Sequence, residues 1–176
     1  MLAVLLCSLP ATYGQALSGT GDGTEESPYK IFNEDQLSQV ANFLNQEGVV
    51  FRLMKDLDIT DWIAENNPRQ GWLPIGVAST PFKGKFYGDN HTIKGVMINR
   101  TSTNNVGFFG YVSGHTITNL TIEGTTVAGA ENVGGMVGYI TGSTVTNCHV
   151  KMDDVNGVTG TTLVGGFAGY SNNTSF

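Results

Sequence analysis

Two stretches of the chain decide the fold: HTITNLTI at residues 115–122 and STVTNCHV at residues 143–150. Both place an apolar residue between two threonines and follow the second threonine with asparagine, and HTIKGVMI at residues 91–98 is a third, looser copy. The first apolar residues of successive copies are 24 and 28 residues apart. Self-similarity at this spacing is typical of stacked repeats, in which each repeat packs only against its neighbours.

Each copy is followed by a block rich in glycine: VGFFGY at residues 106–111, VGGMVGY at residues 133–139 and VGGFAGY at residues 164–170. Glycine inside a strand pattern marks sharp corners and close backbone approach. We therefore predict that the residues between the glycines point inward on short strands. These residues are Phe108, Phe109, Met136, Val137, Phe167 and Ala168.

A repeat of this length supplies about three short strands and three turns. We predict an all-β chain, with a right-handed parallel β-helix of about three to four rungs over residues 73–176, because successive parallel strands connect right-handed. Ile93, Ile117 and Val145 are expected to stack about 5 Å apart. A leucine-rich-repeat horseshoe is the alternative, since I-x-N-L-x-I at residues 117–122 has a faint likeness to its strand.

The residue between the two halves of each repeated strand is predicted to form a bend. Asn119 interrupts the apolar–polar alternation of the second copy, and Asn147 stands at the same place in the third. Asparagine tolerates the left-handed backbone region, and amides on neighbouring rungs can hydrogen-bond along the stack. We assign Gly95 to this place in the first copy, since glycine also accepts a positive φ.

A single helix is predicted over residues 34–46. Asn33 is a suitable N-cap, and Gln36 three residues later completes a variant of the capping box. Gly48 is a typical stop signal. The apolar stripe has the helical spacing i, i+3, i+4, i+7 and consists of Leu37, Val40, Ala41 and Leu44.

Short strands are predicted at residues 49–54 and 57–59, and we assign residues 28–72 as a region that caps the N-terminal end of the repeats. Trp62 and Trp72 flank a loop in this region. Tryptophans at such a place seal the end of a stack more often than they form a sugar-stacking platform, and both interpretations are open at this point.

The first residues indicate export. Residues 1–16 are predicted to be a secretory signal peptide, and residues 17–27 a polar linker. The positively charged start of such a signal is missing, which favours a reading frame that begins upstream of Met1. A lipid anchor on Cys7 and an ordinary buried segment are the alternatives. The apolar run in this segment is far shorter than the roughly 20 residues that a membrane span needs, and no other stretch is long and apolar enough.

Composition excludes one class of partner. The chain carries 15 acidic and 9 basic residues, for a net charge of −6, and no run of Lys and Arg. Nucleic acid is therefore not expected as a partner. Because the sequence stops just after a glycine block, we expect a monomeric segment of a larger protein whose repeats continue beyond residue 176.

The order of motifs resembles a known family. WLPIG at residues 72–76 and FKGKFYGDNHTI at residues 82–93 precede the I/V-x-N-[L/C]-x-[I/V] strands and the VGG-x-x-G blocks. Over roughly residues 28–176 the chain resembles the GLUG-motif family of bacterial extracellular repeat proteins. The resemblance implies a parallel β-helix on secreted or surface-attached proteins that resemble adhesins or accompany catalytic domains such as IgA-cleaving metallopeptidases. It implies no catalytic residue in the repeat itself.

Few residues suggest chemistry. Asp153 and Asp154 form the one adjacent carboxylate pair in the repeats, which indicates a solvated loop more than a calcium ligand pair. Asp56, Asp58 and Asp61 form a loose acidic group that we interpret as turn and cap residues. Catalytic carboxylates would have to converge on one exposed face.

The histidines and the cysteine have structural interpretations as well. His91 and His115 occupy equivalent places in the alignment of copies, where they could stack about 5 Å apart as a metal site. Ser143 breaks the series and no third ligand is evident, so we interpret both as turn or stack residues. Cys148 stands where the preceding copy has Leu120, which favours a small buried thiol over a reactive one. We therefore predict no catalytic, cofactor-binding or metal-binding residues.

The function predicted from the sequence is a non-catalytic, secreted or cell-surface module that attaches to a host glycan or surface protein or acts as a rigid spacer. The first alternative is a carbohydrate-active β-helix enzyme, a polysaccharide lyase or hydrolase, using Asp153, Asp154 or the acids near Asp58. The second is the accessory region of a larger secreted peptidase.

Overall fold

The computed structural model describes residue 17 and residues 20–44, 46–153 and 157–176. This part of the chain is built mainly from strands, with two short helices and one 3-10 turn, so the prediction of an all-β chain is confirmed. The predicted signal peptide at residues 1–16 lies outside the described residues. Neither of the two described helices has the length and apolar character needed to cross a membrane.

The elements are short and follow one another closely along the chain. The helices are α1 (Glu34–Ser38) and α2 (Thr60–Asn66), and the 3-10 turn is Gln39–Phe43. The strands are β1 (Tyr29–Ile31), β2 (Val50–Leu53), β3 (Leu57–Asp58), β4 (Lys85–Lys94), β5 (Met97–Asn99), β6 (Phe109–Ser113), β7 (Thr116–Ala128), β8 (Glu131–Gly134), β9 (Val137–Thr141), β10 (Thr144–Thr146), β11 (His149–Met152), β12 (Val158–Thr159), β13 (Thr162–Gly165) and β14 (Ala168–Asn172).

All pairings between these named strands are parallel. The largest sheet has the order β1-β2-β4-β7-β10, with β3 on β4 and with β5, β11 and β12 on β7. A second sheet pairs β8 with β13, and a third has the order β6-β9-β14. Parallel strands that are so close in sequence require the chain to travel through other elements before it returns to the same sheet.

The register confirms most of the predicted equivalences. Val145 lies opposite Ile117, and Phe109, Val137 and Ala168 follow one another across the third sheet. The residues predicted to point inward from the first two glycine blocks are fully buried. The second and third copies and all three glycine blocks are therefore aligned as the sequence predicts.

The alignment of the first copy is wrong. Ile93 lies opposite Ile122 rather than Ile117, and the residue opposite Ile117 is Phe86. The pair Thr-Ile occurs twice in strand β7, at residues 116–117 and 121–122, so Thr-Ile of the first copy fits either half of the second. The register step is therefore 29 residues from Ile93 to Ile122, not 24.

The asparagine bend forms as predicted in two of the three copies. Asn119 and Asn147 have φ values of 54° and 51°, and Nδ2 of Asn147 donates to Oδ1 of Asn119 at 2.8 Å. The third member is Asn90 (φ 64°), whose Oδ1 also accepts from Asn147, at 3.3 Å. The assignment of Gly95 to this bend is wrong, because Gly95 follows Lys94 and stands beside Gly124 at a different corner.

A second corner repeats the same conformation. Asn105 and Asn132 have φ values of 59° and 54°, and Nδ2 of Asn132 donates to Oδ1 of Asn105 at 2.8 Å. The equivalent residue of the following repeat is Leu163, between the register pairs Thr162–Glu131 and Val164–Val133, and it has a φ of 53°. Leu163 therefore holds a branched side chain in a backbone region that suits asparagine.

The predicted helix over residues 34–46 is wrong in its length. Asn33 caps it as expected, with Oδ1 accepting from the backbone N of Gln36 at 2.9 Å. The α-helix nevertheless ends at Ser38 and continues as the 3-10 turn Gln39–Phe43. The tighter winding buries both Val40 and Phe43 against the sheet.

Helix α2 is an element that the sequence pattern does not predict. It buries Ile63 alone on its inner side, so it has no apolar stripe to reveal it. It begins just after Asp58, which lies in strand β3.

One apolar core extends from α1 to Val145 in β10, and the partly buried Val158 and Phe167 pack against it. A row of aromatic rings runs through it, with centroid distances of 6.1 Å for Phe51–Phe82, 5.2 Å for Phe82–Phe109 and 5.1 Å for Phe108–Phe109. Full burial of one such side chain contributes about 1.5–3 kcal/mol. The core, rather than the short helices, therefore holds the fold together.

Replacing Leu163 with asparagine is expected to stabilise the protein. Leu163 is 55% exposed, so little packing is lost, and the left-handed backbone costs a residue of this kind roughly 1–2 kcal/mol. Asparagine tolerates this conformation and can extend the amide ladder from Asn132. Urea denaturation should show a free energy of unfolding higher by about 1 kcal/mol.

Leu163→Ala is the matched control, because it removes the side chain but keeps a Cβ atom at the same φ. Equal stability of the asparagine and alanine variants would show that the corner carries no strain.

Candidate functional site

The acidic group near strand β3 serves local structure. Oδ1 of Asp58 accepts hydrogen bonds from the backbone N and the Oγ1 of Thr60, at 3.1 and 2.6 Å. These hydrogen bonds, the hydroxyl first, lower the pKa of Asp58. Oδ1 of Asp56 accepts from the backbone N of Thr92 at 2.9 Å, and this bond is the main cause of its lowered pKa. Lowered pKa values keep both groups ionised, which suits acceptors and not a general acid.

The structure describes only one member of the adjacent carboxylate pair of the repeats. Asp153 is exposed, and its backbone N donates to the carbonyl of Thr125 at 3.3 Å. Asp154 lies outside the described residues. No role in catalysis or calcium binding is therefore assigned to the two residues.

The predicted equivalence of His91 and His115 is wrong, and the two rings do not stack. Nδ1 of His91 lies 3.2 Å from Oδ1 of Asp56, whereas Nε2 of His115 lies 3.9 Å from Oε1 of Glu47. The register explains this, since His91 is opposite Leu120. Within the described ranges, no three side chains of His, Cys, Asp or Glu come close enough to hold a metal ion.

The two tryptophans join the helices to the repeats. Trp72 is 2% exposed and stacks on Phe108, with centroids 5.2 Å apart and planes 4° from parallel. Its Nε1 donates to the carbonyl of Phe108 at 3.1 Å. Trp62 lies 5.9 Å from Trp72, and its Nε1 donates to Oδ1 of Asp35 at 2.7 Å. Burial of Trp72 rules it out as a sugar-stacking platform and favours the sealing interpretation.

Cys148 is half-buried beside the core, and it is free. Its Sγ lies 3.4 Å from the carbonyl oxygen of Thr146 and 3.6 Å from that of Ile117. Burial raises the pKa of the thiol, which disfavours the reactive thiolate. This geometry favours a structural role for Cys148, although the residue is half-buried and not fully buried as predicted.

The first charged feature that sequence reasoning missed is a column of alternating charge. Lys94 and Lys151 flank Glu123 in register, with their Nζ atoms 3.8 and 3.4 Å from its carboxylate oxygens. Asp58 is the register partner of Lys94 on the neighbouring strand β3. Exposed ion pairs contribute about 0–1 kcal/mol each. Correct alignment of the first copy would have revealed the column.

The second charged feature connects the segment before β1 to the sheet. Glu25 forms an ion pair with Lys85 and accepts from the hydroxyl of Tyr87. Arg52 lies 5.3 Å above the Tyr87 ring and forms a 3.0 Å ion pair with Asp89. Each charge has an opposite partner, so the cluster offers no free charge to a ligand.

Three tyrosines form a column on the third sheet. The ring centroids of Tyr111 and Tyr139 are 4.4 Å apart, and those of Tyr139 and Tyr170 are 4.7 Å apart, with planes within 17° and 18° of parallel. Each tyrosine ends one glycine block. The sequence signal is therefore present, in the second residue after each inward pair.

An open depression of about 630 Å³ lies beside the end of the third sheet. Its lining is small and polar, without a charged group. The lining residues are Gly142, Ser143, Thr144, Ser171, Asn173, Thr174 and Ser175.

His115 is expected to make stability depend on pH. Burial lowers its pKa below the ordinary value of 6.5. The unfolded state therefore binds more protons than the folded state near this pH. The free energy of unfolding is highest above about pH 6.5, and it falls as the pH drops towards the pKa of His115 in the folded state. His115→Gln should reduce the loss of stability between about pH 7.5 and pH 5.5, measured by urea denaturation.

His149 is exposed and provides the control: His149→Gln makes the same substitution elsewhere, and the two variants are compared at each pH. Wild-type pH dependence in the His115 variant would contradict the assignment.

Comparison with known proteins gives two relatives and one family. A "Putative Gly-rich membrane protein" of Evansella cellulosilytica is 37% identical over 141 residues, which cover 73% of this chain and 16% of the relative. "Halomucin" of Haloquadratum walsbyi is 34% identical over 128 residues, which cover 69% of this chain and 1% of the relative. The chain thus spans only a small part of either relative.

No solved structure matches the chain significantly. The family model described as "The GLUG motif" matches residues 129–156, a range that includes strands β8, β9, β10 and β11. The resemblance inferred from the ordered strands and glycine blocks is thereby confirmed, and the chain carries a GLUG motif.

Proposed function

We propose that the chain is a rigid, non-catalytic module of a secreted or cell-surface protein, which displays an uncharged polar surface for attachment to a glycan. Its proposed architecture is a right-handed parallel β-helix of three to four rungs over residues 73–176, with residues 28–72 as the N-terminal cap. Each part of this proposal has its own support.

The path of the chain supports the coil. Strands β6, β7, β8 and β9 belong in turn to the third, first, second and third sheets, and β9 pairs with β6. The next circuit repeats the order, because β10 returns to β7, β13 to β8 and β14 to β9. Visiting three sheets in a fixed order, always with parallel pairing, is the path expected of a chain that winds about an axis. The right hand follows from the general rule for parallel crossovers.

The observation that carries the adhesive proposal is the in-register array of hydroxyls on strands β7 and β10. Thr144 lies opposite Thr116, and Thr146 lies opposite Thr118, on the side of the strands away from the core. Thr144 also lines the polar depression beside the third sheet. Neutral hydroxyl and amide groups suit hydrogen bonding to neutral sugars better than binding to charged ligands.

A surface location is supported from two directions. The sequence of residues 1–16, an apolar run followed by small residues, favours export. The relatives bear the names "Putative Gly-rich membrane protein" and "Halomucin", both compatible with a location at or outside the cell surface.

The proposal is tested by applying the purified chain to arrays of mucins and neutral plant or host glycans. We expect saturable binding without release of sugar products. Thr144→Lys combined with Thr146→Lys should reduce binding at least several-fold, because both side chains are exposed and charge would disrupt a neutral contact. Val77→Lys is the matched control, since Val77 is 50% exposed and outside the hydroxyl array.

Two outcomes would contradict the proposal. An equal loss of binding in the Val77 variant would show that the hydroxyl array is not the binding surface. Turnover of a polysaccharide that Asp153→Ala or Asp58→Ala abolishes would favour the lyase or hydrolase instead. Asp58 accepts two hydrogen bonds from Thr60, so Asp58→Ala could also destabilise the fold. A loss of turnover in Asp58→Ala is therefore evidence for catalysis only if the unfolding midpoint of the variant is unchanged.

A further inference from the structure

The tyrosine column, defined as Tyr111, Tyr139 and Tyr170, is held in place by the third sheet. Tyr111 pairs in register with Tyr139, and Tyr139 pairs with Tyr170. Strands in a sheet lie about 4.7–4.9 Å apart, and the ring centroids at 4.4 and 4.7 Å follow that spacing. The backbone therefore keeps each ring against its neighbour.

Tyrosines elsewhere in the described chain have different surroundings. The ring of Tyr29 contacts Phe43 and Phe51, with centroids 4.8 and 5.8 Å away. Tyr87 lies under Arg52, and its strand neighbour across the sheet is Thr118. Close contact between two phenol rings is therefore particular to the column among the described residues.

The column is also accessible from solvent. Tyr170 is 36% exposed, and Tyr111 and Tyr139 are half-buried. A small oxidant, or an enzyme that removes one electron at a time, can reach Tyr170 first. Its ring then faces Tyr139 at 4.7 Å and no other tyrosine among the described residues.

We propose that the tyrosine column is a site of oxidative cross-linking, at which a peroxidase using hydrogen peroxide joins Tyr139 to Tyr111 or Tyr170 as dityrosine. The proposal goes beyond the adhesive function and does not depend on it. It needs only the stacked rings and an oxidant of this class.

The reaction balances as follows. Each of two neighbouring phenols gives one electron to the peroxidase and one proton to water, which leaves two phenoxyl radicals. The radicals form a carbon–carbon bond between the ring positions next to the oxygens. Each bonded carbon then loses its hydrogen as a proton while each oxygen regains one, which restores two phenols. The peptide loses two hydrogen atoms, and hydrogen peroxide takes up two electrons and two protons to become two molecules of water.

Such a bond would tie adjacent strands of a protein in which Cys148, the one described cysteine, is free. The closed loop would run from residue 111 to 139 or from residue 139 to 170. A cross-link that closes a loop restricts the unfolded chain and so raises stability, as a disulfide does. Cross-linked protein should therefore unfold at a higher temperature than the untreated protein.

The test treats dilute protein with a haem peroxidase and hydrogen peroxide. We expect dityrosine fluorescence, a monomer whose intact mass is lower by two hydrogen atoms, and a cross-linked peptide pair that contains Tyr139. Tyr139→Phe should abolish the intramolecular product, because it separates the two remaining tyrosines of the column. Tyr87→Phe is the matched control and should give the wild-type yield.

Three outcomes would overturn the proposal. The first is an undiminished intramolecular yield in Tyr139→Phe. The second is formation of covalent dimers alone, which would show coupling between molecules. The third is the same cross-linked peptides in equal yield from protein unfolded in urea, since the folded sheet would then have no part in pairing the rings. An unchanged far-ultraviolet circular dichroism spectrum confirms that the phenylalanine variants remain folded.

Discussion

The structure depends on backbone corners in which residues of successive repeats adopt the same left-handed conformation. At one corner Asn90, Asn119 and Asn147 all have positive φ, and the amide of Asn147 bonds to the other two. A parallel strand can stay in register over several repeats only if every repeat turns at the same place. Asparagine serves this need twice, since it tolerates the conformation and its side chain bonds to the equivalent residue of the next repeat.

Columns of like or complementary side chains are a consequence of that register. When strands pair in parallel and in register, equivalent residues stand about 4.8 Å apart on the same face. Tyrosine then stacks on tyrosine at residues 111, 139 and 170, and Lys94, Glu123 and Lys151 alternate in charge. Cross-strand pairs of these kinds each contribute roughly 0.2–1 kcal/mol. Their larger effect is to penalise a slipped register, because a shift by one residue separates every pair at once.

The sequence was sufficient where a repeat contains one distinctive landmark. The glycine blocks and the Asn119–Asn147 pair are such landmarks, and their equivalence is confirmed. It was insufficient in the first copy, because Thr-Ile occurs twice in β7 and Gly88, Asp89 and Asn90 occupy the bend that Asn119 occupies alone. The equivalence of the two histidines and the assignment of Gly95 failed for that same reason. Helix α2 was missed because it buries one residue, Ile63, and so leaves no periodic trace.

Most polar side chains that could suggest catalysis already have structural partners. Asp58 accepts from Thr60 and pairs in the sheet with Lys94, while Asp56 holds the backbone of Thr92. A carboxylate with its pKa lowered by such bonds is a poor proton donor, and a change at Asp58 would disturb both the start of α2 and the first charge of the column. By contrast, the side chains of the exposed threonines of β10 and of Tyr170 form no such hydrogen bonds among the described residues. The proposals of glycan binding and of oxidative coupling therefore rest on neutral hydroxyls and on a phenol, whose side chains make no hydrogen bond of this kind among the described residues.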